Sequence, residues 1–295
     1  MSINNSVNSM LISGMKLSIN QDVKNIVNRV KINSGSHYFK DSSFSTDAYL
    51  PNNDWRSLTD DEVKLLSDRC DESVTKDERI TIFTIPQQII KYYSFLKKGA
   101  EKYNEEKIIQ NLFSHPDTQR GKLKLLYLCQ KAGLNEDYHL IENCTIPTGL
   151  AVTSKGVHGK YVGLHIDSWD GGSISDRING TSKNRNRLCI NVGSEDRYFL
   201  FINIDISQIK REFDFSFNDN PNKFVVDFLS NFSNYPVMKV RIKPGEAYIA
   251  PTESIIHDST TLDKKFIDLP LTILGYFDEK VEKNLISISK ELDSL

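Results

Sequence analysis

The sequence predicts an α+β protein, with a β-rich core of sandwich or barrel type and a helical first half packed on its outside. Two observations carry this. Up to about residue 144 the apolar residues recur mainly at helical spacing. Beyond residue 145 the chain changes to short β-rich runs split by Gly, Pro, Asn and Asp. Closely spaced strands with turn signals favour a sandwich or barrel over alternating βαβ units. The expected layout is one domain over 1–295, with 1–144 mainly helical, 145–277 the β core and 278–295 a terminal helix.

Taken in order, residues 22–30 have the pattern of a short helix. Thr59 followed by Glu62, ahead of Val63, Leu65 and Leu66, is a capping box opening a second helix. A strand is expected at 80–83. Pro86 lacks the N–H that a first helical turn leaves unused, and Ile89, Ile90, Tyr93 and Leu96 continue at helical spacing to a stop at Gly99. Ile108, Ile109, Leu112 and Phe113 suggest another helix, ended by His115 and Pro116. A further one spans about 119–132, with Leu123, Leu126, Tyr127 and Cys129 on one broad face and Gly133 after it. In the second half strands are expected at 149–153, 161–167, 187–192, 198–204, 237–242, 247–250, 255–257 and 271–277. A hairpin-like loop lies at Ser194, Glu195 and Asp196, and a single helix at 222–232. Val281, Leu285, Ile288 and Leu292 give the helical period of the C-terminal segment.

Composition narrows the function. Lys and Arg total 37 against 39 Asp and Glu, a formal charge of −2 that argues against a dedicated nucleic-acid binder. The 39% hydrophobic share suffices for a real core, which excludes disorder over most of the chain. Cys70, Cys129, Cys144 and Cys189 are far apart with no C-x-x-C pair, and read as reduced structural thiols. The Ser- and Asn-rich stretch 1–20 lacks the basic region and apolar run of a signal peptide, and no run approaches the ~20 apolar residues that span a bilayer. The expectation is a cytoplasmic protein with no membrane or nucleic-acid partner, its oligomeric state unreadable.

The chemistry concentrates in the second half. His165 and Asp167 stand at i and i+2 in an expected strand, so both side chains point the same way and Leu164 and Ile166 point the other. An imidazole and a carboxylate on one inner face are two of the three ligands of a 2-His-1-carboxylate metal site. A third is offered ninety residues on. Pro244-Gly245-Glu246 makes a tight turn, a short strand and a Pro251 bend follow, and His257 ends an apolar run. His37, His115, His139 and His158 lack such partners. A His-x-Asp pair also arises by chance, and a single imidazole is more often a core group than a ligand. A non-catalytic β-sandwich interaction module is therefore one reading of the same residues. Trp169, directly after the pair, is a candidate wall of a substrate pocket or a cover for the barrel end, and the loop 173–186 could order over a substrate.

With His165-x-Asp167, then Lys243-Pro244-Gly245-Glu246, then His257-Asp258-Ser259, the sequence resembles the non-haem Fe(II), 2-oxoglutarate-dependent oxygenases. The resemblance covers about 145–277 and implies a double-stranded β-helix, a jelly-roll or cupin-like core. It further implies that His165, Asp167 and His257 bind Fe(II), with 2-oxoglutarate and O₂ as cosubstrates. The implied activity is hydroxylation of an unactivated C–H bond. Asp167 argues against the halogenating members, which carry a small residue there. One departure stands out. Members usually place an Arg on the last barrel strand to hold the far carboxylate of 2-oxoglutarate, and residues 258–275 contain none. Arg187, opening an expected strand with Cys189 and Asn191 on the same face, is the preferred replacement, with Asn191 as a hydrogen-bond partner. Arg197 and Arg241 are less favoured. The missing Arg keeps open a cupin-like dioxygenase or isomerase that does not use 2-oxoglutarate. By analogy with the family the substrate is a small metabolite, an amino acid or a peptide-like biosynthetic intermediate.

Overall fold

The structure, a computed structural model, describes residues 11–19, 24–67, 78–94, 111, 113–146, 149–169, 171–181 and 184–293. Two sheets carry the fold. The six-stranded sheet runs β1 (Lys16–Ile19), β6 (Arg79–Thr84), β11 (Glu246–Ala250), β8 (Asn186–Asn191), β13 (Pro270–Gly275), β7 (His139–Glu142). Only β1 and β6 in it are parallel. The five-stranded sheet runs β12 (Ile255–Thr260), β9 (Arg197–Asp205), β10 (Met238–Ile242), β2 (Val30–Ile32), β5 (Arg56–Ser57), antiparallel throughout. A small pair, β3 (Ser36–Tyr38) and β4 (Tyr49–Pro51), lies apart.

Strand alternation builds the layers. In β8, Leu188 and Ile190 face the helical layer while Cys189 faces the opposite sheet. In β9, Phe199 and Phe201 face inward, whereas Leu200, Ile202 and Ile204 face the outer helices. One core therefore lies between the sheets and one lies on each outer face. The outer face of the six-stranded sheet is covered by α3 (Gln87–Ile90), α4 (Pro116–Ala132) and α8 (Glu279–Asp293). The outer face of the other is covered by α6 (Ile206–Glu212) and α7 (Pro221–Asn231). The remaining helices are α1 (Lys24–Arg29), α2 (Asp60–Leu66) and α5 (Ile174–Ile178). No helix among the described residues is long and apolar enough to cross a membrane.

Local signals are obeyed where they were strong. The Thr59 capping box opens α2, and Gly133 ends α4 in the left-handed conformation, with φ 110°. All six strands expected between 187 and 277 form, within a few residues of their expected ends. The expected helices at 22–30, 222–232 and the C-terminal segment form as α1, α7 and α8. The expected helix around 108–113 lies largely outside the described residues, as do Leu96, Gly99 and Cys70. Cys129, Cys144 and Cys189 are buried.

The differences have physical reasons. The first half is not only a helical coat: β1 and β6 extend one sheet and β2 and β5 the other, and β7 at 139–142 lies before the expected start of the core. His115 and Pro116 open a helix instead of ending one, His115 capping and Pro116 at the first turn. The buried stripe of α4 is Gly121, Leu125, Leu128, Cys129 and Ala132, leaving Leu123 68% and Tyr127 61% exposed. Residues 194–196 do not close a hairpin. They carry the chain from β8 in one sheet to β9 in the other. Residues 149–153 are irregular, with Val152 buried. Two short helices beyond those expected also follow local signals: Asp205 caps α6, and Ser173 with Asp176 makes a capping box on α5.

Candidate metal centre

Residues 161–167 do not form the continuous strand expected of them, because Gly163 breaks the run. It adopts φ +82°, and a Cβ there would stand 2.7 Å from the Tyr49 carbonyl oxygen. The segment is held instead by single bridges. His165 N–H donates to the His257 carbonyl at 3.1 Å, His257 N–H returns the bond at 2.8 Å, and Asp167 N–H donates to the Thr252 carbonyl at 2.9 Å. The expected facing survives: Leu164 and Ile166 pack into the outer core, and His165 and Asp167 turn the other way.

His165, Asp167 and His257 converge, with their ligand atoms all within 4.8 Å of one another. His165 Nε2 lies 3.6 Å from Asp167 Oδ1, and His257 Nε2 lies 3.6 Å from Asp167 Oδ2. The neighbours of the other ring nitrogens set the tautomers. His165 Nδ1 is 2.9 Å from the Gly163 carbonyl and His257 Nδ1 is 3.1 Å from that of Ile255. A carbonyl only accepts, so both Nδ1 atoms carry hydrogen, and each ring, when neutral, turns its Nε2 lone pair to the centre. His257 Nε2 is buried with no hydrogen-bond partner. A buried acceptor left unpaired beside a carboxylate is costly unless a cation or proton completes it. The donor set, two imidazoles and one carboxylate with open positions, is the one that suits non-haem Fe(II). The residues fit a metal.

Electrostatics say how the site is held without a cation. Burial pushes the Asp167 carboxyl up, but the Arg187 guanidinium beside it, then the two histidines, hold it well below the usual carboxylate range. Burial pushes His257 down to about 3, Asp167 opposing. Burial also lowers His165, but Asp167 and Asp258 outweigh it and bring it up to about 10. At neutral pH a cation must therefore displace one proton, from His165. Metal affinity is expected to rise about tenfold per pH unit below pH 10, with about one proton released per ion. Calorimetry in buffers of different ionisation enthalpy reads that proton directly, and release of none would contradict the assignment. In the metal-free protein the same proton stabilises the fold, fully so below the ordinary histidine value of 6.5 and no longer once pH passes about 10.

The other expected site residues divide. Arg187 faces the interior and its Nη2 donates to Asp167 Oδ2 at 2.6 Å, so it grips the carboxylate of the candidate triad itself. Asn191 is a turn brace: its Nδ2 donates to the carbonyls of Glu195 at 2.9 Å and Ile242 at 3.0 Å, and its Oδ1 accepts from Gly193 N–H. Trp169 is half exposed, its ring stacked on His139 with centroids 6.4 Å apart, and its backbone N–H donates to Glu253 Oε1. Arg241 is partly exposed and paired with Asp196. Arg197 is buried, paired with Asp268, and donates from Nη2 to Ser259 Oγ at 3.0 Å. The unexpected member is Arg177 on α5. It is buried and donates to the carbonyls of Asp167 at 2.8 Å and Glu253 at 2.7 Å, tying the loop after the triad to the turn before β12. The first part of loop 173–186 is thus anchored, and the Ser173 capping box was its sequence signal.

No protein-family model matches the chain, and no curated protein matches it at a significant level. Among solved structures it is similar to the Kdo hydroxylase KdoO, a non-haem Fe(II) α-ketoglutarate-dependent dioxygenase in complex with cobalt(II). That similarity has a TM-score of 0.39 and 11% sequence identity over 73% of this chain and 86% of that one. The fold and site together define a mixed α/β protein of two facing sheets with a His-Asp-His cluster able to hold a metal ion.

Proposed function

We propose that the chain is an Fe(II)- and 2-oxoglutarate-dependent oxygenase built on a double-stranded β-helix. The observation that carries the reading is the convergent triad, with the His257 Nε2 lone pair buried, unpartnered and turned to the centre. The strand path supports the fold name. From β7 onward the chain passes from the six-stranded sheet through residue 165, bridged to β12, then to β8, β9, β10, β11, β12 and β13, switching sheets at nearly every step. Bound at the triad, iron with 2-oxoglutarate and O₂ would supply oxidation of an unactivated C–H bond, the keto acid leaving as succinate and CO₂.

The chain's own part is to hold a dianion beside the metal. Around the triad, Arg187, Arg197 and Lys264 balance Asp167, Asp258 and Asp268. A divalent cation adds two positive charges, which a dicarboxylate keto acid offsets. Arg197 suits the far carboxylate better than Arg187. Arg187 is taken up by Asp167, while the Arg197 guanidinium reaches Ser259, one same-face step beyond His257 on β12 and so ~7 Å along the strand. Arg197 is itself paired with Asp268, but Lys264 shares that carboxylate. Tyr248, opposite Cys189 on the inner face, feels both guanidiniums, and burial keeps its phenol protonated and able to donate.

The test is anaerobic addition of Fe(II) and then 2-oxoglutarate, read as a visible metal-to-keto-acid charge-transfer band. In Arg197→Lys the 2-oxoglutarate needed for half the band is expected to rise at least ~10-fold, because a point charge replaces a fork, with Fe(II) binding unchanged. If Arg187→Lys shifts it instead, the roles are reversed. Metal binding without any band favours a metal enzyme that does not use 2-oxoglutarate. The substrate belongs to the same proposal: a small metabolite, amino acid or peptide-like molecule, admitted near Trp169 and Arg187.

A further inference from the structure

We infer that Asp258 is a positioning residue for the metal centre, the anionic support that adds to the Gly163 carbonyl in holding hydrogen on His165 Nδ1 and in orienting the ring; this rests on the metal reading above. The two histidines are supported differently. His257 Nδ1 meets only the Ile255 carbonyl, whereas His165 Nδ1 has the Gly163 carbonyl at 2.9 Å and Asp258 Oδ2 at 3.5 Å. Asp258 has no exposed side-chain surface, and its Oδ2 has no hydrogen-bond donor of its own.

The rest of Asp258 is fixed so that Oδ2 can do this. Its Oδ1 accepts from Thr153 N–H at 3.1 Å, Ser154 N–H at 3.2 Å, Ser154 Oγ at 3.1 Å and its neighbour Ser259 N–H at 2.6 Å. These four donors, with the Thr153 hydroxyl a fifth at 3.5 Å, settle the carboxylate plane and leave the other oxygen facing the imidazole. A carboxylate behind a ligating histidine keeps hydrogen on the far nitrogen and makes the near one a better donor to metal. The arrangement is crossed. β12 supplies one ligand, His257, and from the next residue the support for the other. The irregular segment around 165 needs that support more, because it is held by single bridges and not by a ladder.

The test compares wild type with Asp258→Asn, titrated with Co(II) alone in the absence of any cosubstrate. Asparagine keeps an acceptor for the Thr153 and Ser154 donors but removes the charge facing His165. The expected result is a Co(II) affinity lower by ~10- to 100-fold. Ser154→Ala, which loosens the support of Asp258 but keeps its charge, is expected to bind Co(II) as wild type does. Equal affinity in Asp258→Asn overturns the inference. Wild type that binds no Co(II) overturns the metal reading and this inference with it. Should Asp258→Asn fail to fold, the wild-type Zn(II) form decides through imidazole NMR. The His165 Nδ1 proton is expected well downfield of that of His257, and equal shifts overturn the inference.

Discussion

Replacing His257 by alanine is expected to lower Fe(II) or Co(II) affinity by more than ~100-fold, beyond the 10- to 100-fold typical of losing a mere supporting partner, and to abolish the charge-transfer band. His257 is the cleanest of the three ligands to remove. Its Nε2 has no partner in the protein, so the substitution deletes no hydrogen bond there, and its ring, held near a pKa of about 3, carries no charge. Asp167→Ala would instead leave the Arg187 guanidinium without its carboxylate, confounding metal loss with the cost of an unpaired buried charge. His165→Ala would strip the partner facing Asp258. The measurement is a metal titration by calorimetry beside a thermal melt of the metal-free protein. Unchanged affinity with an intact melt would mean that the triad is a core cluster and not a metal site.

The triad was legible in the sequence because its signal is local twice over. His165 and Asp167 share a face by alternation, and His257 ends an apolar run after a Pro-Gly turn, so only the fold's closure had to be supplied. The strands from 187 to 277 were legible for the same reason: their patterns repeat every two residues and their turns carry Gly or Pro. Asn191 and Arg187 show the limit. Alternation correctly turned both inward, but the partner of an inward side chain is a matter of register between strands. Asn191 sits opposite Pro270 at the far end of β8, where it braces the crossing to β9, while Arg187 sits at the triad end and meets Asp167. The buried face of α4 was misread because Leu123 and Tyr127 are apolar yet point outward; Gly121 lies on the true face, and a Cβ there would stand 2.8 Å from the Tyr93 ring. β1 and β6 pair in parallel across a long connection, and no local pattern announces such a contact.

The same blindness to distant contacts hid the interaction whose loss should cost most in stability. Arg29, the last residue of α1, reaches Glu246 in the Pro-Gly-Glu turn with one Nη1 atom, at 2.8 Å from Oε1 and 2.7 Å from Oε2, both side chains buried. Glu246 Oε2 also accepts Lys243 N–H at 2.8 Å, so one carboxylate sets the turn and ties it to the first half of the chain. Removing the guanidinium leaves an uncompensated buried charge, and Arg29→Met is expected to destabilise the fold by ~3–5 kcal/mol. That is a large part of the ~5–15 kcal/mol a domain commonly has. Arg29→Met with Glu246→Gln should recover part of the loss, because no buried charge is then stranded and the glutamine oxygen still accepts from Lys243. Urea melts of the single and double variants measure both. A single variant within 1 kcal/mol of wild type would show that water reaches Glu246 and that the pair is not sealed. The consequence for function follows from β11, which begins at Glu246 and carries Tyr248 inward. Loss of the pair frees the end of the strand that carries Tyr248, whose phenol feels both Arg187 and Arg197. On the proposed function, the band with 2-oxoglutarate should therefore weaken in Arg29→Met before metal binding does, tying the first half of the chain to the proposed cosubstrate end and not to the triad.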